Sequence, residues 1–345
     1  LGCTENQLTS LDMSANTALT TLNCWSNELT SLDVSSNTAL DNLSTGGNQL
    51  TTLDVSNNTA LTSLSCGGNQ LTSLDVSANT PLTYLNCESN QLTSLDVSSN
   101  TALDNLSTGG NQLTTLDVSN NTALTSLECW LNELTSLDVS ANTPLTYLHC
   151  AGNQLTSLDV SSNTALDNLS TGGNQLTTLD VSNNTALTSL SCDGNQLTYL
   201  NMRNGVTDQL TTFYATNNSF DCIEVNADDI DYATANWTYE NGNIDEGVEF
   251  SVLCGGEQVT VNYPNGGETF TEGDQITITW DWTGGSIELD IYLSQNSGGS
   301  FDYFISSVYA TEQSYNWTIP DGVDSPNCRI SIEDPYSPAT NDASD

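Results

Sequence analysis

Residues 33–95 and 96–158 spell nearly the same 63-residue text twice, and this tandem identity forces most of the chain into stacked, near-identical coils. A unit repeated so closely cannot bury its own apolar face, so the core forms only between neighbours. Seven positions differ between the two copies: Ser65 becomes Glu128, Gly67 Trp130, Gly68 Leu131, Gln70 Glu133, Asn86 His149, Glu88 Ala151 and Ser89 Gly152. All seven sit beside one cysteine column. A third copy, 159–198, departs from 33–72 only at Asp193.

Inside the 63-residue unit lies a 21-residue period. It aligns Cys3, Cys24, Cys66, Cys87, Cys129, Cys150 and Cys192 in one column, with Thr45, Thr108 and Thr171 filling the gaps, and so defines ten coils. The text Leu61-x-x-Leu64-x-Cys66-x-x-Asn69-x-Leu71 fits the leucine-rich-repeat pattern, in which a short strand buries alternate residues and an asparagine ties down the following turn. A second half follows in each coil, as in Leu71-x-x-Leu74-Asp75-Val76-x-x-Asn79. Residues 1–203 therefore resemble the nested, IRREKO-like class of secreted bacterial leucine-rich-repeat proteins. That resemblance implies a flattened β-solenoid with short extended segments on both sides. Stacked parallel strands rise ~4.8 Å per coil, so ten coils span about 50 Å.

The cysteine column does not read as disulfides or a metal site. In-register neighbours on parallel strands point the same way, and no C-x-x-C pair occurs. Buried thiols acting as small hydrophobes, exchangeable with threonine, are the expectation. The asparagine columns, Asn6 through Asn195 and Asn16 through Asn184, are expected to satisfy turn backbone from coil to coil.

After Arg203 the period fades through Phe213-x-x-x-Asn217-Asn218 and Cys222-Ile223-x-Val225 to Phe250-x-x-x-Cys254. The stretch 204–257 resembles the C-terminal cap of secreted bacterial leucine-rich-repeat proteins, which would cover the exposed core and strand edge of the last coil. Cys222 and Cys254 are its candidate disulfide, suited to an oxidising exterior. From 258 to 345, period-two apolar runs such as Ile276-x-Ile278-x-Trp280 and Ile287-x-Leu289-x-Ile291-x-Leu293 alternate with glycine-rich turns, the pattern of an antiparallel sandwich. With its Pro264-Asn265-Gly266-Gly267-Glu268 opening and late Cys328-Arg329-Ile330-x-Ile332, this segment resembles the Kre9/Knh1-type immunoglobulin-like surface module. Members end with one more strand, so the expectation is a sandwich cut before its last strand, its edge completed elsewhere or open to self-assembly. Ser294-x-Asn296-x-Gly298-x-Ser300-Phe301 resembles an Asp-box hairpin, a fold element. The expected fold class is thus mainly β: a leucine-rich-repeat β-solenoid, a cap and an immunoglobulin-like β-sandwich.

Charge narrows function. Lysine is absent, Arg203 and Arg329 are the only arginines, and 43 acidic residues give a net charge of −41 over 345 residues. With no basic patch the chain has no means of engaging nucleic acid or anionic lipid. Such self-repulsion suits a saline or calcium-containing exterior, and also serves solubility alone. No apolar run reaches the ~18 residues of a membrane span, so no membrane insertion is expected. Leu1-Gly2-Cys3 aligns with Leu22-Asn23-Cys24, so the text starts mid-repeat, as a trimmed portion of a bacterial extracellular or cell-surface precursor would.

Catalysis is not expected. The one histidine is His149, and no serine stands in a position that pairs it with a base. Two surface stripes remain. The aspartate column, running from Asp12 to Asp180 and including Asp75, Asp96, Asp117, Asp138 and Asp159, sets carboxylates ~4.8 Å apart and should gather cations. Calcium is the candidate ligand and the one cofactor in view, against hydrated carboxylates bonded to the adjacent hydroxyls and screened by sodium. The other stripe is the variable one. Alternation from inward Leu127 and Cys129 turns Glu128 and Trp130 outward, with Tyr147 and His149 beside them on the next coil. Leu131 and Glu88 adjoin this strip, and Trp25 and Tyr84 repeat its columns elsewhere. Exposed aromatics with polar neighbours are what protein or sugar recognition uses. The leading expectation is an adhesin-like protein binding an extracellular protein or glycan. A structural spacer or filament subunit is the second reading. An ice-binding surface built on the column Thr9, Thr30, Thr51 and Thr72 is the third.

Overall fold

The computed structural model describes residues 1–254, 258–264, 270–283, 287–295, 303–323, 328–333 and 342–343. It divides into two compact units, Leu1–Phe250 and Ser251–Asp345. The strands of the first are β1 (Thr21–Asn23), β2 (Asn42–Ser44), β3 (Ser63–Ser65), β4 (Tyr84–Asn86), β5 (Asn105–Ser107), β6 (Ser126–Glu128), β7 (Tyr147–His149), β8 (Asn168–Ser170), β9 (Thr178–Asp180), β10 (Ser189–Ser191), β11 (Tyr199–Asn201), β12 (Thr212–Tyr214) and β13 (Cys222–Glu224), followed by helix α1 (Ile230–Asn236) and β14 (Glu249–Ser251). Ten of them, β1–β8, β10 and β12, form one parallel sheet in chain order, one strand per coil.

The register is exact in residues: Leu43 faces Leu64, Leu64 faces Leu85, and Leu127 faces Leu148. Each central leucine is wholly buried and its two strand neighbours face out, so the period-two rule sets the sheet's polarity. Full burial of one such leucine contributes about 1.5–3 kcal/mol, and stacking multiplies it. Two residues on, the cysteine–threonine column is also internal. The Cys87 thiol donates to the Ser107 carbonyl at 3.6 Å and the Thr108 hydroxyl to the Glu128 carbonyl at 3.3 Å. Both side chains make the same bond to the next coil, which is why they interchange.

Turns are held by asparagine. The Asn132 amide donates to the carbonyls of Cys129 (3.2 Å) and Thr108 (3.1 Å), while its oxygen accepts the Leu113 N–H at 3.0 Å. One side chain thereby closes its own turn and ties it to the coil before.

The opposite side differs from the two-sided strand pattern that the nested repeat implied. Regular pairing appears there only toward the C-terminal end, in the sheet β14-β13-β11-β9. In earlier coils the Leu-Asp-Val segment forms no strand pair, and the next coil's asparagine bonds its carbonyl, as Asn100 does for Val76 at 3.0 Å. Where the text changes from Asp-Val-Ser to Asn201-Met202-Arg203, ladder bonds return, with the Val181 N–H donating to the Asn201 carbonyl at 3.0 Å.

Beyond β12, Trp237 of the capping segment stacks on Phe213 at a ring separation of 4.0 Å and meets Phe250 edge-on at 5.8 Å, extending the solenoid's core. Arg203 pairs with the buried Glu224 at 3.0 Å, and the Tyr199 hydroxyl donates to the same carboxylate. Cys222 and Cys254 are each disulfide-bonded.

The second unit contains β15 (Gln258–Tyr263), β16 (Gln275–Thr283), β17 (Glu288–Ser294), β18 (Tyr303–Tyr309), β19 (Ser314–Thr318), β20 (Arg329–Glu333) and β21 (Asp342–Ala343). Two antiparallel sheets, β15-β16-β19 and β18-β17-β20-β21, enclose one apolar core around Ile278, Trp280, Leu289, Ile291 and Ile332, giving a β-sandwich. Most of the Pro264–Glu268 opening and of the Asp-box-like hairpin, at 265–268 and 296–301, lies outside the described residues.

Candidate ligand-binding face

The ten-stranded sheet presents three outward columns and a turn, and coils 5 to 8 carry the exceptions. β5, β6 and β7 stand side by side, with Ser107 opposite Glu128 and Glu128 opposite His149. Tyr147 lies on β7 opposite Ser126.

Trp130 follows β6 in a column held by glycine at 46, 67, 109 and 172. Its indole lies over Gly109 of the preceding coil: a Cβ built on Gly109 would fall 2.3 Å from the indole Cε2 and 2.4 Å from Nε1. The ring can lie flat on the sheet only because that neighbour is glycine. His149 extends the aromatic surface, its ring 6.1 Å from the indole and inclined by 26°. Leu131, next in the chain, is 59 % exposed and has φ of +46°. Glycines occupy the same left-handed turn position at 47, 68, 110, 152, 173 and 194, so a branched apolar side chain is held there against backbone preference.

Glu88 reaches across from coil 5 to accept a short hydrogen bond from the hydroxyl of Ser107, which is buried. Glu128 approaches from the other side. Burial pushes the Glu128 carboxyl above its ordinary value, Glu88 adds to the rise, and a hydrogen bond from Trp130 opposes it. Burial holds the His149 imidazole below its ordinary 6.5, with Glu88 working the other way. The Tyr147 hydroxyl is raised by burial and then by Glu128 and Glu88. Glu88, Glu128, Trp130, Tyr147 and His149 therefore share one electrostatic neighbourhood.

The remaining residues of the variable strip stand apart. Trp25 is 45 % exposed, five coils from Trp130, and leans the other way over Gly46 of the following coil. Tyr84 is exposed on β4, three strands from Tyr147. Gly109 and Ser107 also belong to the face, and no sequence change marks them, since both are unchanged between the copies. The signal available was Gly109's place next to Trp130 in the glycine column.

The aspartate column leads into turns, with Asp180 also ending β9. The carboxylates of Asp75, Asp96, Asp117, Asp138 and Asp159 each accept the N–H of the serine two residues on, all at 2.9 Å. The same serines hold these carboxyls below their ordinary value. Among the described residues no three His, Cys, Asp or Glu side chains converge as a metal site. Thr9, Thr30, Thr51 and Thr72 lie exposed on bends. The seven ladder cysteines are free thiols, and burial pushes Cys66 and Cys150 up to about 12. No helix among the described residues is long and apolar enough to cross a membrane.

No family model matches the sequence, and no curated protein does. Solved structures do. The functional domain of InlJ from Listeria monocytogenes, which includes a cysteine ladder, is similar over the whole chain and 84 % of its own, with 28 % identity and a TM-score of 0.62. A Leptospira interrogans leucine-rich-repeat protein is similar over 71 % of this chain and 70 % of its own, at 23 % identity and a TM-score of 0.53. The plant peptide hormone receptor RGFR1, solved in complex with RGF2, is similar over 68 % of this chain and 40 % of its own, at 21 % identity and a TM-score of 0.57. The first unit has a leucine-rich-repeat solenoid fold.

Proposed function

We propose that this chain is a bacterial cell-surface or secreted binding protein whose solenoid engages an extracellular protein or glycan through its ten-stranded sheet. The observation that carries the proposal is the convergence of Glu88, Glu128, Trp130, Tyr147 and His149 on one face of an otherwise repeating scaffold. The likeness to leucine-rich-repeat solenoids supports a binding role, the peptide hormone receptor RGFR1 having been solved in complex with RGF2 and the InlJ neighbour being a functional domain that includes a cysteine ladder. An aromatic platform fixed on rigid strands recognises a ligand at small entropic cost. The sandwich is a module through which the solenoid joins a larger surface protein.

The test is a screen of extracellular proteins and glycans against the whole chain, repeated with the Trp130→Ala/His149→Ala variant. Hits retained by the wild type and lost by the variant are expected. Hits bound equally by both would place recognition elsewhere.

A further inference from the structure

We infer that this face recognises a cationic side chain, a lysine or arginine presented by a protein partner, held between the carboxylates of Glu88 and Glu128 and against the indole of Trp130. The inference rests on the strand face being the binding surface and names what that surface binds.

Three independent features carry it. First, two carboxylates converge on β5 from opposite sides: Glu88 bonds to the buried Ser107, and Glu128 is the in-register neighbour of the same serine. Glu128 stands in a column otherwise filled mostly by Ser and Asn, and Glu88 in one that shares an acid only with Asp193, so the pair is local to this patch. Secondly, the solenoid unit supplies no free cationic side chain for them. It has no lysine, and Arg203, the single cationic side chain of the solenoid unit, is bound to Glu224. His149 is held toward its neutral form by burial. Thirdly, the indole is pressed on Gly109, continued by His149, and anchored beside Glu128. An aromatic face next to paired carboxylates, desolvated on one side, is the environment in which a guanidinium or ammonium group gains both an ion pair and a cation–π contact. A net charge of −41 steers cationic partners toward the molecule. A neutral glycan could stack on the indole, but nothing in its chemistry calls for two adjacent carboxylates.

Because His149 is the only histidine, its ring proton signals report on this patch alone. The whole chain is titrated with the peptide acetyl-Gly-Arg-Gly-Lys-Gly-amide, with the same peptide carrying citrulline and acetyl-lysine, and with a chitooligosaccharide, at physiological salt. The charged peptide is expected to shift the His149 signals saturably and the neutralised peptide is not. The Glu88→Gln/Glu128→Gln variant is expected to weaken the charged peptide at least tenfold. The control Glu240→Gln/Glu246→Gln, which removes two charges from the exposed cap surface, should change it less than twofold. Equal weakening in both double variants would mean diffuse attraction to an acidic protein and would overturn the inference. So would a His149 response to the oligosaccharide without one to the charged peptide, which leaves the strand face as a binding surface of another specificity. Absence of any His149 response to the charged peptide also overturns it, and the Trp130→Ala/His149→Ala screen then decides the strand face separately.

Discussion

Gly109→Ala is the most informative single change, because its effect should pass through one side chain. The added methyl would fall 2.3–2.6 Å from three indole atoms of Trp130, well inside contact distance, so the ring has to lift off the sheet. A tryptophan buries roughly 150–250 Å² when enclosed. Trp130 is partly buried, so lifting it re-exposes about 100 Å². At ~25 cal/mol per Å² the loss is about 2.5 kcal/mol. A second, smaller cost comes from backbone, since a Cβ at the equivalent Gly67 or Gly172 would meet the next coil's carbonyl at 3.2 Å. The double-mutant cycle separates the two: with Trp130→Ala as background the indole is gone, only the backbone cost remains, and Gly109→Ala should become milder by about 2 kcal/mol. Urea unfolding of the four proteins measures this, and ligand capture by Gly109→Ala should fall to the level of Trp130→Ala. A coupling below about 0.5 kcal/mol would show that the clash is with the scaffold, and would refute the account of the platform.

Three further outcomes are expected. Leu131→Gly relieves a left-handed backbone at an exposed position and should raise stability by about 1 kcal/mol in thermal or urea unfolding, whereas a loss would mean that the side chain packs for stability. The six ladder thiols from Cys24 to Cys192 are buried and Cys66 and Cys150 are pushed up to about 12, so peptide mapping after iodoacetamide at pH 8 should show these six unmodified until the protein is denatured. The charged-peptide affinity should fall as pH drops from 7 toward 5: the Glu128 carboxyl, raised above 4.5, takes up a proton as pH falls through its value, and His149, below 6.5, gains positive charge at the acid end of the same range. Glu88 and Tyr147 are the other titratable groups facing them, and calorimetric titration at constant salt that found pH-independent affinity would refute the electrostatic reading.

The scaffold was legible because repetition states its own rules. The 21-residue columns place leucine and the cysteine–threonine ladder inside and the strand neighbours outside, and the structure keeps that order coil by coil. The second side was less legible. Leu-Asp-Val reads as a strand on composition, yet in most coils it does not pair, and an asparagine side chain of the next coil bonds the valine carbonyl. Periodicity cannot see that competition. Leu131 is legible as a change but not as strain, because the left-handed turn that glycine fills in most other coils is a backbone property the residue pattern does not state.

The orientation of the two indoles shows where residue patterns end and local sterics begin. Trp25 and Trp130 occupy the same column, separated by five whole coils, and pattern alone gives them one environment. They lean in opposite directions. Trp25 lies between Thr4 before it and Gly46 after it, and it settles over Gly46; Trp130 lies between Gly109 before it and Ala151 after it, and it settles over Gly109. In each case the ring takes the side that lacks a Cβ. A flat aromatic on a parallel sheet needs a neighbour without a side chain, and in a solenoid the two candidate neighbours are always 21 residues away on either side. The change of Gly67 to Trp130 thus placed an indole between Gly109, which lacks a Cβ, and Ala151, which has one, so only one of the two directions is open to it. Glu88 and Glu128 then flank the direction left open, so the acidic pair and the platform form where the Glu88 of one copy adjoins the Glu128 and Trp130 of the next.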